Sequence, residues 1–315
     1  MKRLILITFL ATILCFSLNA SAADSSECDR ECLAGFLNTY LKALLAHDSS
    51  KLPVTKNVKY TENGVRLNLT DGLWKTASAM PTYRVDVIDE MSGQVGLLAR
   101  ILENGNNNWF AVRMKVEKGK QVSEIETLIV RSISMTPPPE GGPQAPTEAH
   151  PLMMEVIPED KRMPPCKLKK IGDSYFTGLD TDNHGANVPF DKDCQRRENG
   201  GVMANNPDMP EGSMQWMGCK AQFDTNFSVI VTDIRERRFI ADPVTGLSFG
   251  WGYFDHDGSV EKMSTTLGDE MIDVTGMFRQ PFSFYIAEIF KIKDGKIRQI
   301  EAVLTTVPYL MESGW

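Results

Sequence analysis

The chain has 315 residues, 42% of them hydrophobic, and a formal net charge of −7. This length allows two domains of ordinary size, and the hydrophobic fraction excludes a wholly disordered chain. The negative charge argues against nucleic acid as a partner, because phosphate binding requires a basic surface.

Residues 1–22 have the pattern of a secretory signal peptide. Two basic residues at positions 2 and 3 precede an apolar run over 4–18, and the small residues at 20–22 fit a cleavage site. The run is shorter than the roughly 20 residues of a membrane span, which favours cleavage over anchoring. Cleavage removes two positive charges and takes the net charge from −7 to −9. We therefore expect a secreted or periplasmic protein with no membrane association once the signal is removed.

Beyond the signal, the first half is predicted to form one helix followed by strands. Apolar residues recur with a helical period over 28–48, whereas 59–69 alternate as a strand interrupted by the turn residues Asn63 and Gly64. A short helical turn begins at 71–74. Four more strands, joined by hairpin turns, are predicted at 83–89, 94–102, 109–117 and 122–131.

Proline and glycine are concentrated over 136–151, a composition that neither a helix nor a central strand tolerates. We interpret this stretch as an extended, semi-rigid linker. The predicted boundaries are 1–22 for the signal, 23–135 for the first domain, 136–165 for the linker and 166–315 for the second domain.

The second half repeats the spacing of the first. In both halves a proline lies nine residues before the glutamate of a Glu-Asn-Gly turn, at Glu62 and at Glu198. In both halves an aspartate lies four residues before a glycine, at Gly93 and at Gly246. The elements predicted there are a helix at 167–179 and a final hairpin at 284–293 and 296–307. A repeated order of helix and then strands indicates a duplicated α+β domain rather than a parallel sheet.

Residues 201–218 are an insertion in the second half. They are rich in methionine and proline and include Trp216, which we consider a substrate-binding candidate. Two interpretations stay open, a lid over a ligand pocket and a variable surface loop.

Five cysteines follow the predicted signal: Cys28, Cys32, Cys166, Cys194 and Cys219. An exported chain can hold disulfides, and an odd number leaves at least one thiol unpaired or paired between molecules. Cys194 and Cys219 bracket the insertion, so we predict a disulfide that closes a loop of about 25 residues and contributes roughly 3 kcal/mol. Cys28 is expected to pair with Cys32, or one of the two with Cys166. The spacing does not suit structural zinc.

Several segments together resemble the nuclear transport factor 2-like (SnoaL-like) cone fold, present twice. More narrowly, the chain is similar to a secreted tandem-cone family of bacteria and fungi, a largely uncharacterised domain of unknown function. The segments are CDREC, YLKALLAHDSSKLP, DGLW, PFDKDCQRRENG, DGKIRQIEAVLT and VPYLMESGW. The resemblance covers 28–135 and 166–315. It implies two cones, each a curved antiparallel sheet wrapped around helices, packed sheet to sheet as a pseudo-dimer with an apolar pocket at each open mouth.

The same resemblance implies three catalytic positions in the second cone. Ketosteroid-isomerase-like members use a tyrosine on the first helix, a carboxylate where the sheet begins and an acid on a later strand. The comparable residues here are Tyr175, Glu198 and Tyr285, and the tyrosine in third place could still donate to an oxyanion. In an apolar pocket Glu198 would act as general base. The alternative is that Glu198 and Tyr175 are architectural, since Glu62 and Tyr40 match them in the first half.

Four further residues complete the candidate site. His184, on the loop after the helix, is a catalytic acid or base or else a solvated loop residue. Arg196 and Arg237 are substrate-binding candidates because guanidinium binds carboxylates in bidentate fashion, although Arg237 is also explained by a structural ion pair. Glu301, on the last predicted strand, is the other substrate-binding candidate.

These observations predict an enzyme that needs no cofactor. We expect a lyase, isomerase or dehydratase that uses acid–base chemistry on a small molecule in the second pocket. The alternative is a ligand-binding or scaffold protein without catalysis. No metal site is expected, because residues 255–258 (DHDG) match a hairpin turn better than a calcium loop. The oligomeric state is left open.

Overall fold

A computed structural model of the protein describes residues 28–79, 83–131, 146–180, 185–266 and 270–315. The predicted signal peptide, His184 and residues 136–145 of the Pro-rich linker lie outside the described residues. Within the described ranges, no helix is long and apolar enough to span a membrane. The fold is mixed α+β, with few helices and strongly curled sheets.

The first half begins with the predicted helix. Asp29 caps it by accepting a hydrogen bond from the backbone N–H of Cys32, and Leu37, Tyr40 and Leu44 lie on its buried face. The elements are α1 (Arg30–Leu45), β1 (Val54–Glu62), β2 (Val65–Arg66), β3 (Ala77–Ala79), β4 (Arg84–Asp89), β5 (Gln94–Glu103), β6 (Asn106–Val116) and β7 (Val122–Val130), with single 3-10 turns at Ser49–Lys51, Gly72–Lys75 and Glu90–Ser92. A disulfide joins Cys28 to Cys32 at the start of α1, whereas Cys166 is a free thiol.

The second half has the same plan with additions. Its elements are α2 (Pro151–Met154), α3 (Pro165–Asp180), β8 (Phe190–Glu198), β9 (Gly201–Ala204), α4 (Cys219–Phe223), β10 (Asp233–Asp242), β11 (Leu247–His256), β12 (Lys262–Met263), β13 (Ile272–Asp273), β14 (Phe282–Lys293) and β15 (Lys296–Val307), with 3-10 turns at Glu159–Lys161, Gly185–Asn187, Phe227–Ile230 and Gly276–Arg279. The strands β12 and β13 form a small separate hairpin.

The two main sheets have the same strand order. The first runs β2-β1-β7-β6-β5, with β3 and β4 both paired to β5, and the second runs β9-β8-β15-β14-β11-β10. This agreement is consistent with the repeat predicted from the spacing. The expectation of wholly antiparallel sheets is wrong, because β1 pairs with β7 in parallel and β8 pairs with β15 in parallel.

The Glu-Asn-Gly turns of the two halves make the same hydrogen bonds. Asn63 has a positive φ and exchanges two hydrogen bonds with the backbone of Ile129, at 2.8 and 3.0 Å. Asn199 has a positive φ and makes the same pair of bonds with Leu304, at 3.0 and 3.1 Å. Each asparagine therefore fixes the register of the parallel strand pair beside it.

Apolar residues form three clusters. One lies between α1 and the first sheet, and one lies between α3 and the second sheet. The third contains residues of both sheets, among them Trp109, Phe249 and Trp251, so the sheets pack face to face. The contacts across this interface are reciprocal. Asp89 accepts from the N–H of Ala241 at 3.0 Å, and its counterpart Asp242 accepts from the N–H of Ile88 at 3.4 Å.

Candidate functional site

A cavity of about 260 Å³ lies on the face of the second sheet that is turned away from the first. Its walls are mainly apolar, with side chains from α3, the insertion and six strands. Met214, Met263, Phe254, Phe284 and Ile286 are representative of the lining. A mostly apolar cavity with a few polar groups is the usual form of a small-molecule site.

Alternation along β14 brings an acid into this cavity that the sequence analysis missed. Phe284, Ile286 and Glu288 line the cavity, whereas the intervening Tyr285 and Ala287 face the first sheet. The signal was present in the sequence, because a glutamate interrupts an otherwise apolar set of alternate residues. The resemblance directed attention to Tyr285 instead, which lies three residues away and therefore on the opposite face.

Glu288 lies beside an ion pair. Arg196 and Glu198 are two residues apart on β8 and share a face, with Arg196 Nε 2.9 Å from Glu198 Oε1. Glu198 and Glu288 both lie opposite Ala302 on β15, so their Cα atoms are about 10 Å apart across two strand spacings. Ala302 is small, so both acidic side chains can reach the space above it. The structure thus brings together Arg196 and Glu198 from the predicted set with Glu288 from outside it.

The environment of Glu288 is unusual for a carboxyl group. The residue is 1% exposed, and among the described residues its Oε2 has no hydrogen-bond partner. Burial, followed by the negative charge of Glu198, raises its pKa well above the ordinary range. Burial therefore favours the neutral acid form of Glu288, which lies next to Glu198.

Tyr175 joins the same cluster through its hydroxyl. It is buried among Phe190, Phe223 and Phe290, and it accepts a hydrogen bond from Arg196 Nη1 at 3.2 Å. Burial raises its pKa well above the usual value, so the phenol stays protonated. Tyr175 is thus both a core residue and part of the cavity lining.

Two predicted residues lie away from the cavity. The hydroxyl of Tyr285 donates to Glu126 at 2.6 Å, and its ring stacks on Tyr253 in the interface between the sheets. Glu301 lies on the same buried face, where it accepts from Gln299 Nε2 at 3.1 Å, and burial raises its pKa to about 7. The prediction that these side chains meet Glu198 in the pocket is corrected, because the odd-numbered residues from 285 to 289 on β14 and from 301 to 303 on β15 face the first sheet.

Arg237 and Trp216 also lie outside the cavity lining. Arg237 is ion-paired with Asp180 and donates to Thr177 at 3.0 Å, which agrees with its structural interpretation. Trp216 is 41% exposed, although its neighbours Met214 and Gln215 line the cavity. The insertion thus forms part of the wall without the contribution expected of Trp216.

Cys194 and Cys219 are buried thiols whose Sγ atoms are 2.7 Å apart. Cys194 lies on β8 two residues before Arg196, and Cys219 begins α4 directly after the insertion. The geometry places the pair as the sequence predicted, and their oxidation to a disulfide stays a prediction.

His256 is a second cavity residue that sequence reasoning passed over. It is the last residue of β11, and its ring stacks on Phe282 with centroids 4.5 Å apart. Nδ1 donates to the carbonyl of Phe254 at 3.1 Å, and burial lowers the pKa to about 4. The ring is therefore neutral near pH 7, and its Nε2 is a hydrogen-bond acceptor. The hairpin turn predicted at 255–258 is not observed, because Asp255 and His256 belong to β11 and only a bend at Gly258, with φ +74°, follows. In the described part of the chain, no group of three or more His, Cys, Asp or Glu is placed to hold a metal ion.

The first half shows what an architectural glutamate looks like at the same position. Glu62 accepts hydrogen bonds from Tyr60 Oη at 3.0 Å, Leu73 N–H at 2.7 Å and Arg131 Nη1 at 2.8 Å. Glu198 is 31% exposed at its side chain and is paired with Arg196. This contrast favours the functional interpretation of Glu198 over the architectural one.

Comparison with known proteins gives a family without an assigned activity. Residues 161–304, just under half of the chain, match the model of a family described as "Domain of unknown function (DUF8021)". No curated protein matches the chain. The matched stretch contains Tyr175, Arg196, Glu198, His256 and Glu288, so the similarity to this family covers the whole polar part of the cavity.

Proposed function

We propose that the second half is a small-molecule enzyme that uses general acid–base chemistry, with the cavity as its active site. The observation that carries this proposal is Glu288, a fully buried carboxyl group beside the Arg196–Glu198 ion pair, with one oxygen that has no hydrogen-bond partner among the described residues. Burying a polar group without a partner costs folding free energy, on the order of 1–3 kcal/mol. Buried ionisable groups with shifted pKa values cluster at active sites, where the shifted pKa suits proton transfer.

The two carboxyl groups suit complementary roles. Glu198, ion-paired to Arg196, begins as a carboxylate and accepts a proton from the substrate. Glu288 begins as a neutral acid and delivers a proton to another substrate atom. In an isomerisation that proton remains on the product, and in a lyase or dehydratase reaction it departs with the leaving group. In each case one proton is taken and one is given, so the scheme needs no cofactor.

We further propose that each half is a cone of the nuclear transport factor 2-like type in an exported protein. The shared strand order, a helix laid on each curled sheet and the face-to-face packing support the fold. The signal-like residues 1–22 and the Cys28–Cys32 disulfide support export, since disulfides persist mainly in oxidising compartments.

A binding protein without catalysis is the second candidate, and the mostly apolar wall of the cavity favours it. The two functions separate in one experiment. A library of small molecules is screened by thermal shift, since a ligand of the native state raises the melting temperature. Each hit is then followed for chemical conversion with the wild type, Glu198→Gln and Glu288→Gln. Conversion that both variants lose supports the enzyme, whereas binding without conversion in the wild type supports the alternative.

A further inference from the structure

We propose that the cavity takes a small organic cation whose N–H groups bridge Glu198 and His256, in the place that the guanidinium of Arg131 holds in the first half. This inference names the ligand class of the site proposed above and rests on that cavity being the functional site. It comes from comparing the two halves residue by residue.

Strand register identifies the equivalent positions. Glu62 lies opposite Thr127 on β7, and Glu198 lies opposite Ala302 on β15. Four residues further along the same strands, Arg131 therefore corresponds to Thr306. The strands β5 and β11 are both ten residues long and both follow a glycine turn, so their last residues, Glu103 and His256, also correspond.

In the first half a single side chain joins the two strand ends. Arg131 donates to Glu62 through Nη1 at 2.8 Å. Its Nε and Nη2 donate to Glu103 at 2.7 and 2.8 Å. One planar guanidinium therefore spans the distance between the end of β1 and the end of β5.

In the second half the bridging side chain is missing and both acceptors remain. Thr306 is too short to span the gap, and it lies opposite the cavity residue Phe284. Glu198 and His256 both line the cavity. Glu198 offers a carboxylate, and His256 offers Nε2, because its Nδ1 is committed to a backbone carbonyl. A bound guanidinium or amidinium would meet two acceptors at the spacing the first half shows.

Charge favours a cation at this place. Arg196 occupies the position of Tyr60, and Glu288 occupies that of Val112, which lies opposite Thr127 as Glu288 lies opposite Ala302. Thr306 and His256 replace Arg131 and Glu103, so the second half again holds two carboxyls, Glu198 and Glu288, with the single guanidinium of Arg196. Glu288 is neutral while no second cation lies beside it, so a bound monovalent cation would favour its ionised form and bring the pocket to two carboxylates and two cations.

The cavity volume limits the size of the ligand. An engineered cavity of about 150 Å³ holds benzene, so 260 Å³ accommodates about ten non-hydrogen atoms. Phenylguanidine and benzamidine are of this size and place a planar N–H donor group on an apolar ring. A ligand held in this way presents an N–H proton to Glu198, the proposed proton acceptor.

Isothermal titration of the full chain with three matched compounds tests the proposal. Phenylguanidine is the cation, benzamide the neutral analogue and benzoate the anion. We expect phenylguanidine to bind at least about ten-fold more tightly than benzamide, because charge-assisted hydrogen bonds are the stronger ones, and benzoate to bind most weakly. Equal affinity for the three compounds, or no binding of phenylguanidine, would overturn the proposal.

An arginine at position 306 would compete with the ligand for Glu198 and His256. Thr306→Arg restores the first-half bridge and should lower phenylguanidine affinity at least about ten-fold, while its melting temperature stays at or above that of the wild type. Thr306→Val, of the same size, should leave affinity unchanged. His256→Phe keeps the stack on Phe282 but removes the acceptor and should weaken binding several-fold. Unchanged affinity in both Thr306→Arg and His256→Phe would refute the bridge.

The experiments distinguish failure of the cation proposal from failure of the proposed active site. If benzamide binds as well as phenylguanidine and both require Glu288, the proposed preference for a cation is refuted, whereas the cavity is still supported as the binding site. If phenylguanidine binds and Thr306→Arg blocks it, the cation is supported even where no compound of this class is converted.

Discussion

Replacing Glu62 and Glu198 by glutamine, one at a time, separates an architectural glutamate from a functional one at the same position of the repeat. Glu62 accepts from Tyr60, Leu73 and Arg131 while 7% exposed. Hydrogen bonds to a charged group are worth about 1.5–3 kcal/mol each, and glutamine keeps one acceptor oxygen of the two. We expect Glu62→Gln to cost about 2–4 kcal/mol, a fall in melting temperature on the order of 5–10 °C for a protein of this size.

Glu198→Gln should behave differently. It removes the partner of a buried guanidinium, which alone would be costly. Glu288 is close enough for the charge of Glu198 to raise its pKa, so the loss of Glu198 makes Glu288 easier to ionise as the new partner of Arg196. We therefore expect a cost of about 1 kcal/mol or less, together with loss of turnover, because an amide accepts no proton near pH 7.

The assay is differential scanning calorimetry of both variants beside turnover of any substrate found by the ligand screen. Glu62→Gln should keep most of the turnover at a temperature where it is folded. Equal falls in melting temperature with turnover spared in both would return Glu198 to an architectural role. A Glu62→Gln variant as stable as the wild type would refute the reasoning from hydrogen bonds.

Three further predictions follow. Peptide mapping of non-reduced protein should find Cys194 linked to Cys219, and alkylation of Cys194 would exclude that pairing. The pKa of Glu301 is raised to about 7, so its contribution to stability is complete below about pH 4.5 and is lost as the pH rises through 7. Glu301→Gln should therefore gain about 3 kcal/mol relative to the wild type between those pH values in urea unfolding, and a pH-independent difference would contradict this. Arg131→Met leaves two nearly buried carboxylates without their cation and, as Arg131 is 37% exposed at its side chain, should cost about 2–3 kcal/mol. Arg66→Met is the control and should stay within about 0.5 kcal/mol.

Local patterns in the sequence determined the elements and their repetition. Helix caps and tight turns are formed by neighbouring residues, so the strand predicted at 122–131 is observed at Val122–Val130 and the helix predicted at 167–179 is observed at Pro165–Asp180. The equal spacing of the two halves predicted that both sheets share one strand order, as they do. The start of β1 at Val54 was not assigned, because that stretch is short and interrupted in sequence and its pairing with β7 is remote in sequence.

Which side chains meet was decided by the tertiary structure. Both faces of β14 are buried, one against the first sheet and the other against the cavity, so alternation could not say which face held the site. A difference of three residues then separates Tyr285, in the interface, from Glu288, in the cavity. The same holds for Arg131, which bridges the ends of β1 and β5 in the first half, and for Thr306, which leaves that bridge absent in the second half. In both halves the strand ends concerned are distant in sequence. Only the curled sheet brings such ends within the reach of one side chain, which is why the sequence alone indicated the fold more fully than the site.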